Sequence, residues 1–348
     1  MSLNGKIQTV LGPISQDQLG VTMAHEHLLI DGRPMHVEPS GAGDKAESRK
    51  PVSMDNQNWI RYHFGQHREN PLLGDIDTAI EEAKLYKQSG GDSLIDVTTY
   101  GLGPDPDGLR RIARATQLNI VAATGYYTQV SHPPDMDLRT TDELSERMTI
   151  DITIGINGTS VKAGVIGELG CSWPLHANES KVLQAAAKTQ YLTGASISIH
   201  PGINEEAPSE IMDILVESKA DPSLVIIGHI DRTVADRTKL KELADRGCFI
   251  EYDLFGQELS YFPGTPRFAR PGDAHRLDQI EWLISEGYGK QVLISHDIGR
   301  KSFLIRYGGF GYGHILDVIV PWMRVRGINE EHIQNILVAN PSQAFTIG

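Results

Sequence analysis

The sequence predicts an α/β protein of the TIM (β/α)8 barrel class, and two observations lead to that fold. Eight short apolar runs recur along the chain, and amphipathic stretches typical of helices lie between them. Near-continuous apolar character is typical of parallel strands that are covered on both faces. Eight strands in alternation with helices favour a closed barrel over its structural rival, an open doubly wound sheet, because that number of strands closes the cylinder.

The individual elements follow from local patterns. The predicted strands are a run that ends at His27 and the runs 93–97, 119–123, 163–167, 195–199, 224–228, 248–252 and 291–295. The predicted helices span about 75–90, 106–117, 177–193, 206–219, 233–246 and 273–287. Asp75 is a favoured residue before the first turn of a helix, and Gly90 and Gly91 fit the end of the same helix.

No linker, break in composition or low-complexity segment divides the chain, so residues 1–348 are expected to form a single barrel domain. Two loops are unusually long, at about 31–74 after the first strand and about 254–272 after the seventh. Long irregular loops in a compact domain usually carry function. In a barrel both loops would lie at the catalytic face, where the carboxyl ends of the strands meet.

Composition and charge exclude several classes of protein. The formal net charge of −13 argues against nucleic acids and anionic membranes as partners, because both are polyanions. No run reaches the roughly 18 apolar residues of a membrane span, and the first residues lack the apolar stretch of a secretory signal. Cys171 and Cys248 are the only cysteines, which favours a reducing, cytoplasmic location over a disulfide framework.

His25 and His27 are the first indication of a metal site. They stand at the end of the first predicted strand, and alternate side chains of a strand point to the same face. The two imidazoles are therefore expected to project together, while Glu26 points away. Four later strand ends supply further residues of the ligand type, which are Glu168, His200, His229 and Asp297.

These six side chains would meet at one rim of the barrel, because the carboxyl ends of its strands converge there. Imidazole and carboxylate ligands together suit zinc, with manganese, cobalt, nickel and iron as alternatives. Six ligands exceed what one tetrahedral zinc uses, so they indicate two divalent ions about 3.5–4 Å apart, with Glu168 as the bridge. Each residue alone also fits a structural role, such as a helix cap for Asp297, and only their joint placement favours a metal centre.

Longer stretches surround these residues. They are Gly5–Gly12, His25–His27, Gly167–Pro174, Ile199–Gly202, His229–Thr233, Glu251–Gly256 and Tyr307–Tyr312. Together they resemble the phosphotriesterase family within the amidohydrolase superfamily, and most of all its phosphotriesterase-related branch, over essentially the whole chain. The resemblance implies a distorted TIM barrel with a binuclear, zinc-type centre, in which His25, His27 and Asp297 hold the more buried ion. His200 and His229 would hold the more exposed ion, and a homodimer is common among relatives of this type.

Two positions depart from phosphotriesterases proper. Those enzymes bridge their metals with a carboxylated lysine, whereas the matching position here is Glu168, as in the branch that the chain most resembles. They also extend the metal-bound aspartate into a His–Asp proton relay, and Leu254 and Arg232 stand at the matching positions here. The missing relay favours carboxylic substrates over phosphotriesters.

The expected reaction is hydrolysis of a small carboxylic amide, ester or lactone. A hydroxide that bridges the two metals would attack the carbonyl carbon, and Asp297 would accept its proton and pass it to the leaving group. The alternatives are a phosphotriesterase or phosphoesterase activity and a non-catalytic, metal-containing binding protein. A lyase or isomerase that uses Lys162 is disfavoured, because Lys162 lies at the start of its strand, away from the catalytic face.

Residues in the loops are expected to select the substrate. Tyr100 and Tyr126 follow the second and third strands and would wall the pocket, although packing beneath the loops explains them equally well. Arg232 and Arg270 belong to a group of arginines near the last strand ends. They would bind an anionic group of the substrate, since guanidinium pairs with carboxylate, sulfonate or phosphate in bidentate fashion. Scattered solvated charge is an equal explanation for these arginines.

Overall fold

Eight parallel strands form one sheet in the computed structural model, which describes residues 4–63, 65–259 and 271–348. The strands of this described part are β1 (Lys6–Thr9), β2 (Gly12–Ser15), β3 (Thr22–Glu26), β4 (Ile30–Asp31), β5 (Leu72–Leu73), β6 (Ser93–Asp96), β7 (Asn119–Thr124), β8 (Ala163–Gly170), β9 (Ile197–His200), β10 (Val225–Ile227), β11 (Phe249–Tyr252) and β12 (Val292–Ile294). The large sheet contains β3 and then β6 to β12, and its neighbours follow chain order.

The last barrel strand returns to the first, so the sheet nearly closes on itself. Ser295 follows β12, and its hydroxyl oxygen accepts a hydrogen bond from the backbone N–H of His25 at 3.0 Å. The backbone N–H of Asp297 donates to the carbonyl oxygen of His25 at 3.2 Å. The nearly closed sheet confirms the predicted TIM barrel and excludes the open doubly wound alternative.

Helices surround the barrel. In the described ranges the α-helices are α1 (Ala42–Glu47), α2 (Gln57–Tyr62), α3 (Ile76–Gln88), α4 (Pro106–Thr116), α5 (Thr141–Thr153), α6 (Ala177–Thr193), α7 (Ala207–Glu217), α8 (Ile230–Thr233), α9 (Arg237–Asp245), α10 (Asp273–Ser285), α11 (Val320–Val325), α12 (Glu330–Gln334) and α13 (Asn340–Phe345). Asp75 caps α3 as predicted, since its carboxylate accepts a hydrogen bond from the N–H of Thr78.

Apolar side chains fill the lower half of the barrel interior, towards the amino ends of the strands. They come from alternate strand positions, such as Val121 and Ala123 of β7, which point inward with the period of two that a strand imposes. We call this group the floor cluster; it consists of Ile7, Leu19, Ala24, Ile95, Val97, Val121, Ala123, Val165, Ile226, Phe249, Leu293, Ala344 and Phe345. Ile7 of β1 and Phe345 of α13 therefore close the bottom of the barrel.

The structure contains helices that the sequence patterns did not predict. The main one is α5, between β7 and β8, whose buried residues Leu144, Met148 and Ile152 form a stripe only one residue wide among polar side chains. So narrow a stripe gives a weak amphipathic signal. The helix predicted at 233–246 is α9, which begins later than predicted because Asp236 caps its first turn, and the short helix α8 precedes it.

The first long loop has structure of its own. Its two ends pair as the antiparallel strands β4 and β5, with Ile30 opposite Leu73, and α1 and α2 lie between them. The second predicted loop, at about 254–272, falls largely outside the described residues, and Arg270 falls there too. No helix in the described ranges is both long and apolar enough to cross a membrane.

Candidate metal centre

The six ligand-type side chains predicted from the sequence come together above the floor cluster, at the carboxyl ends of the barrel strands. We call them the rim cluster; its members are His25, His27, Glu168, His200, His229 and Asp297. The side chains of His200 and Asp297 are 20% and 26% exposed, and the other four are at most 2% exposed. The cluster is therefore closed from below and open to solvent on one side.

Glu168 lies at the centre of the cluster. Its Oε1 atom is 3.2 Å from Nε2 of His27. Its Oε2 atom is 2.9 Å from Nδ1 of His200 and 3.4 Å from Nε2 of both His25 and His229. The two carboxylate oxygens thus face different imidazoles, which is the arrangement that a bridging carboxylate requires.

Asp297 borders the exposed side of the cluster. Its Oδ1 atom is 3.3 Å from Nε2 of His27 and 3.9 Å from Nε2 of His25. Burial alone would raise the pKa of Asp297, but the hydrogen bond with His27 and the neighbouring imidazoles lower this pKa to about 2. Asp297 is therefore an ionised carboxylate at neutral pH.

Two members of the cluster have an unusual backbone conformation. The φ angle is 53° at His229 and 51° at Asp297, in the left-handed region that residues with a side chain rarely adopt. Such a conformation costs about 1–3 kcal/mol and concentrates at functional sites. At both positions the chain has just left a barrel strand, and the turn leaves the side chain over the rim, against Glu168 or His27.

Gly167 sets the position of Glu168 within β8. Its φ of +105° favours glycine, and a Cβ atom there would lie only 2.0 Å from the backbone oxygen of Ser198. The pairing of β8 with β9 shifts register between Ile166 and Leu169. The strand therefore bulges at Glu168 and continues to Gly170, three residues beyond its predicted end.

Two carboxylates on β11 and the residue after it support the histidines from behind. Oε2 of Glu251 is 3.0 Å from Nδ1 of His25, and Oδ1 of Asp253 is 2.7 Å from Nδ1 of His229. Asp253 also accepts the backbone N–H of His229 at 2.8 Å. A carboxylate behind a histidine fixes the ring and turns its other nitrogen towards a metal.

Glu251 and Asp253 were not predicted to support the histidines, although their segment is one of those that carry the family resemblance. The signal was the one that identified His25 and His27, two ionisable residues at alternate positions of a strand end. Thr98 was not predicted either; its hydroxyl lies 2.9 Å from Nδ1 of His27 and supports a third imidazole.

Burial and neighbouring charges perturb the ionisable groups of the centre in opposite directions. Burial raises the pKa of Glu251 to about 7. Burial and the adjacent His229 lower the pKa of His200 to about 3. Burial would also lower the pKa of His27, but its hydrogen bonds with Asp297 and Glu168 raise this pKa to about 10. Such divergent shifts within one cluster are typical of functional sites.

The donor atoms fit divalent cations. Nε2 of His25 is buried and has no hydrogen-bond partner in residues 4–63, 65–259 and 271–348. Nε2 of His229 and Nδ1 of His200 face each other at 2.7 Å, beside the same oxygen of Glu168. The donor atoms of His25, Glu168 and His229 lie within 4.8 Å of one another, and so do those of His25, His27 and Asp297. Nitrogen and carboxylate donors at this spacing suit zinc and similar metals.

A cavity of about 770 Å³ opens above the cluster. Its base consists of five members of the rim cluster, which are His27, Glu168, His200, His229 and Asp297. The first long loop contributes part of its wall through residues that include Met35, Tyr62 and Gln66, as expected for a loop at the catalytic face. Pockets of this size enclose small organic molecules.

Two arginines and a tyrosine line the cavity next to the cluster. Nη2 of Arg232 donates hydrogen bonds to Nε2 of His200 at 3.1 Å and to the backbone oxygen of Pro201 at 3.3 Å. Nη1 is buried and has no partner within the part of the chain that the structure describes. Burial lowers the pKa of Arg300 to about 10, so its guanidinium still carries a charge at neutral pH. The hydroxyl of Tyr127 lies 3.2 Å from Nδ1 of His200.

The predicted substrate-binding residues differ in their position relative to the cavity. Arg232 lies in the cavity, whereas neither Tyr100 nor Tyr126 is among the described residues that line it. The hydroxyl of Tyr100 donates to Asp151, and that of Tyr126 accepts a hydrogen bond from Arg139 at 3.2 Å, so both are engaged in packing beneath the loops. Tyr127 faces the cavity instead, because adjacent residues of an extended chain point to opposite sides. Arg270 lies outside the described residues.

Comparisons with known proteins agree with this architecture. The model of the phosphotriesterase family matches residues 5–345. The chain is 41% identical over 346 residues to an N-acetyltaurine hydrolase of Xenopus tropicalis, and equally so to a phosphotriesterase-related protein of Nematostella vectensis, with 99% of this chain and of each relative covered.

A solved structure supports the same assignment. The crystal structure of a resiniferatoxin-binding protein from Rhodobacter sphaeroides superposes with a TM-score of 0.95 at 31% identity, over 100% of this chain and 99% of that one. The resemblance found in the sequence is thereby confirmed over almost the whole length. This chain belongs to the phosphotriesterase family of metal-dependent hydrolases.

Proposed function

We propose that this protein is an amidase with two divalent metal ions, zinc first among them, and that it hydrolyses N-acyl amino sulfonates such as N-acetyltaurine. One observation carries the proposal. Arg232 lies beside the histidines that surround Glu168, and its buried Nη1 has no hydrogen-bond partner among the described residues. A cationic donor next to the cluster matches a substrate with an anionic end. The name of the Xenopus tropicalis relative supports the same substrate.

The rim cluster divides into two sets of donors around Glu168. His25, His27 and Asp297 would hold one ion, and His200 and His229 would hold the other. Divalent ions bound there supply a Lewis acid and lower the pKa of a water molecule from about 15.7 to about 7. Glu251 and Asp253 keep His25 and His229 in the tautomer that presents Nε2 to a cation.

Asp297 is proposed as the general base and acid. Its carboxylate is ionised and partly exposed on the cavity, so it can accept a proton from the attacking water. The water oxygen joins the carbonyl carbon and the carbon–nitrogen bond breaks. Asp297 then returns the proton to the departing nitrogen, and the products are a carboxylic acid and a free amine.

Arg232 and Arg300 would orient the substrate. Their guanidinium groups follow β10 and β12 and line the same side of the cavity. Hydrogen bonds between guanidinium and a sulfonate or carboxylate fix both position and direction of the bound molecule. The acyl carbonyl would then face the rim cluster.

A phosphotriesterase activity is expected to be weak. Leu254 occupies a position where phosphotriesterases have a relay residue, its side chain is buried, and its backbone N–H donates to Asp231 at 3.0 Å. An aliphatic side chain has no ionisable group and cannot relay a proton. A binding protein is the second candidate, and the name of the Rhodobacter sphaeroides relative favours it.

The test is turnover by purified protein loaded with two equivalents of zinc or manganese. N-acetyltaurine should be cleaved faster than N-acetylethanolamine, its neutral counterpart, and faster than a simple lactone or an organophosphate triester. Arg232→Gln should lower kcat/KM for the anionic amide by about 10- to 100-fold, as the loss of hydrogen bonds to a charged group does. Arg324→Gln on the surface helix α11 is the matched control.

The results of these assays distinguish the proposed functions. Equal rates on the anionic and neutral amides would refute the role of Arg232. Turnover of lactones without turnover of amides would assign the cavity to another carboxylic substrate. Metal-loaded protein that binds these compounds without cleaving any of them would establish the binding protein instead.

A further inference from the structure

The wall of the cavity is divided by charge. Arg232, Gln257 and Arg300 follow β10, β11 and β12, which are neighbours in the barrel. This arc of the rim offers guanidinium and amide groups. The scissile bond of the proposed substrate would lie at its inner edge, over Glu168.

The rest of the rim, which we call the apolar arc, carries most of the apolar side chains of the cavity. These side chains follow β3, β6, β8 and β9, and the polar Tyr127 and Thr128, which follow β7, lie among them. The apolar side chains on this arc are Ile30, Met35, Val37, Leu102, Trp173 and Ile203. Val37 is 62% exposed and Trp173 is 39% exposed, so part of this wall faces solvent.

An acetyl group would leave most of this wall uncovered. The apolar part of N-acetyltaurine beyond its carbonyl is one methyl group, whereas the cavity has a volume of about 770 Å³. Cavities of roughly 300–1,000 Å³ enclose drug-sized ligands. Met35 and Leu102 follow β3 and β6, which lie across the barrel from β10, so a substrate anchored at Arg232 would extend its acyl group over the rim cluster towards them.

We infer that the preferred substrates carry a longer acyl group than acetyl, aliphatic or aromatic, on the amine that bears the anionic group. This inference rests on the proposed amidase function and specifies its substrate class. The apolar arc binds the acyl group in the substrate and in the transition state alike. It therefore lowers KM and leaves kcat nearly unchanged.

The experiment measures kcat and KM for N-acetyl, N-butanoyl, N-hexanoyl and N-octanoyl taurine with the zinc-loaded full-length protein. The value of kcat/KM should rise along the series, by up to about fourfold per methylene, until the wall is covered. That factor corresponds to the ~0.8 kcal/mol gained when one methylene is buried. This rise in kcat/KM should result from a fall in KM, with kcat nearly constant.

Two substitutions test the wall itself. Met35→Ser and Ile203→Ser, on separate loops that line the cavity, should each flatten the dependence on chain length. Val325→Ser is the matched control, because Val325 is 84% exposed on α11 and does not line the cavity. Thermal unfolding and metal content establish that each variant is folded and loaded.

The inference is overturned if N-acetyltaurine is the best substrate and kcat/KM falls as the chain lengthens. That result would leave the proposed amidase function intact. It is overturned as well if kcat/KM rises equally with acyl chain length in Met35→Ser, Ile203→Ser and the wild-type protein. Failure of every taurine conjugate in the presence of bound metal would overturn the amidase function together with this inference.

Discussion

The floor cluster and the rim cluster lie on the same barrel strands, but the first consists of apolar side chains and the second of ionisable ones. Along β11, Phe249 points into the floor cluster, while Glu251, the next inward position, supports His25. On the last strand, Leu293 belongs to the floor cluster, and Ser295 and Asp297 follow beyond the end of β12. On β11 a step of two residues, about 6.6 Å, separates the apolar layer from the layer of ionisable groups.

This difference assigns separate tasks to the two layers. The floor cluster stabilises the fold through buried apolar area, which needs no partner of specific geometry. The rim cluster buries carboxylates and imidazoles, which is unfavourable unless each group is paired. Glu251 and Asp253 supply such pairing on the inner side, and the outer side is left for cations. The two layers should therefore respond to substitution in different ways.

Asp297→Asn tests the rim with the largest expected effect. Asparagine keeps the shape and an oxygen donor but cannot accept the proton, so kcat should fall by about 10²- to 10⁴-fold. The free energy of unfolding should hardly change, because the floor cluster is untouched. Steady-state kinetics measure kcat, elemental analysis measures the metal content, and urea unfolding measures the free energy of unfolding. Near-normal turnover with metal retained would remove Asp297 from the chemistry.

Leu293→Ala tests the floor. The substitution leaves a cavity inside the barrel, and the free energy of unfolding should fall by about 2–5 kcal/mol. Folded protein should keep its metal content and its kcat at a temperature well below the unfolding transition. Urea unfolding and kinetics on the same preparation check both statements. A large loss of metal affinity without a loss of stability would show that the two layers are not independent.

Asp253→Asn examines the contact between the layers and should have the smallest effect on free energy. The amide cannot hold Nδ1 of His229 as a carboxylate does, so the metal affinity should fall by about 10- to 100-fold. The matched control is Asp151→Asn, another buried aspartate, which bonds to Tyr100 and Thr124 away from the cavity. Competition with a chelator measures the affinity. Equal losses in both variants would argue for a general effect of burial.

The barrel and the convergence of the rim cluster could be predicted because both depend on simple periodicities. Apolar runs of strand length gave the eight strands, and the period of two placed His25 and His27 on one face. Chain order then brought Glu168 and Asp297 to the same rim, since the carboxyl ends of parallel strands meet there.

Other features depend on tertiary contacts that local patterns do not encode. The bulge at Glu168 arises where Gly167 approaches the backbone oxygen of Ser198 on the neighbouring strand. Tyr127 lines the cavity and its neighbour Tyr126 does not, so a difference of one residue in position determines which tyrosine faces the substrate. Such shifts of one position reverse the direction of a side chain, and a sequence pattern seldom resolves them.

The seam between β12 and β3 has a consequence for biosynthesis. His25 and Asp297 meet across this seam, where Ser295 accepts the N–H of His25. A chain emerging from the ribosome amino terminus first exposes its histidine pair long before the matching aspartate has been translated. The complete set of donors therefore exists only once nearly the full polypeptide has been made, and any premature stop before residue 297 yields a product that lacks one of them.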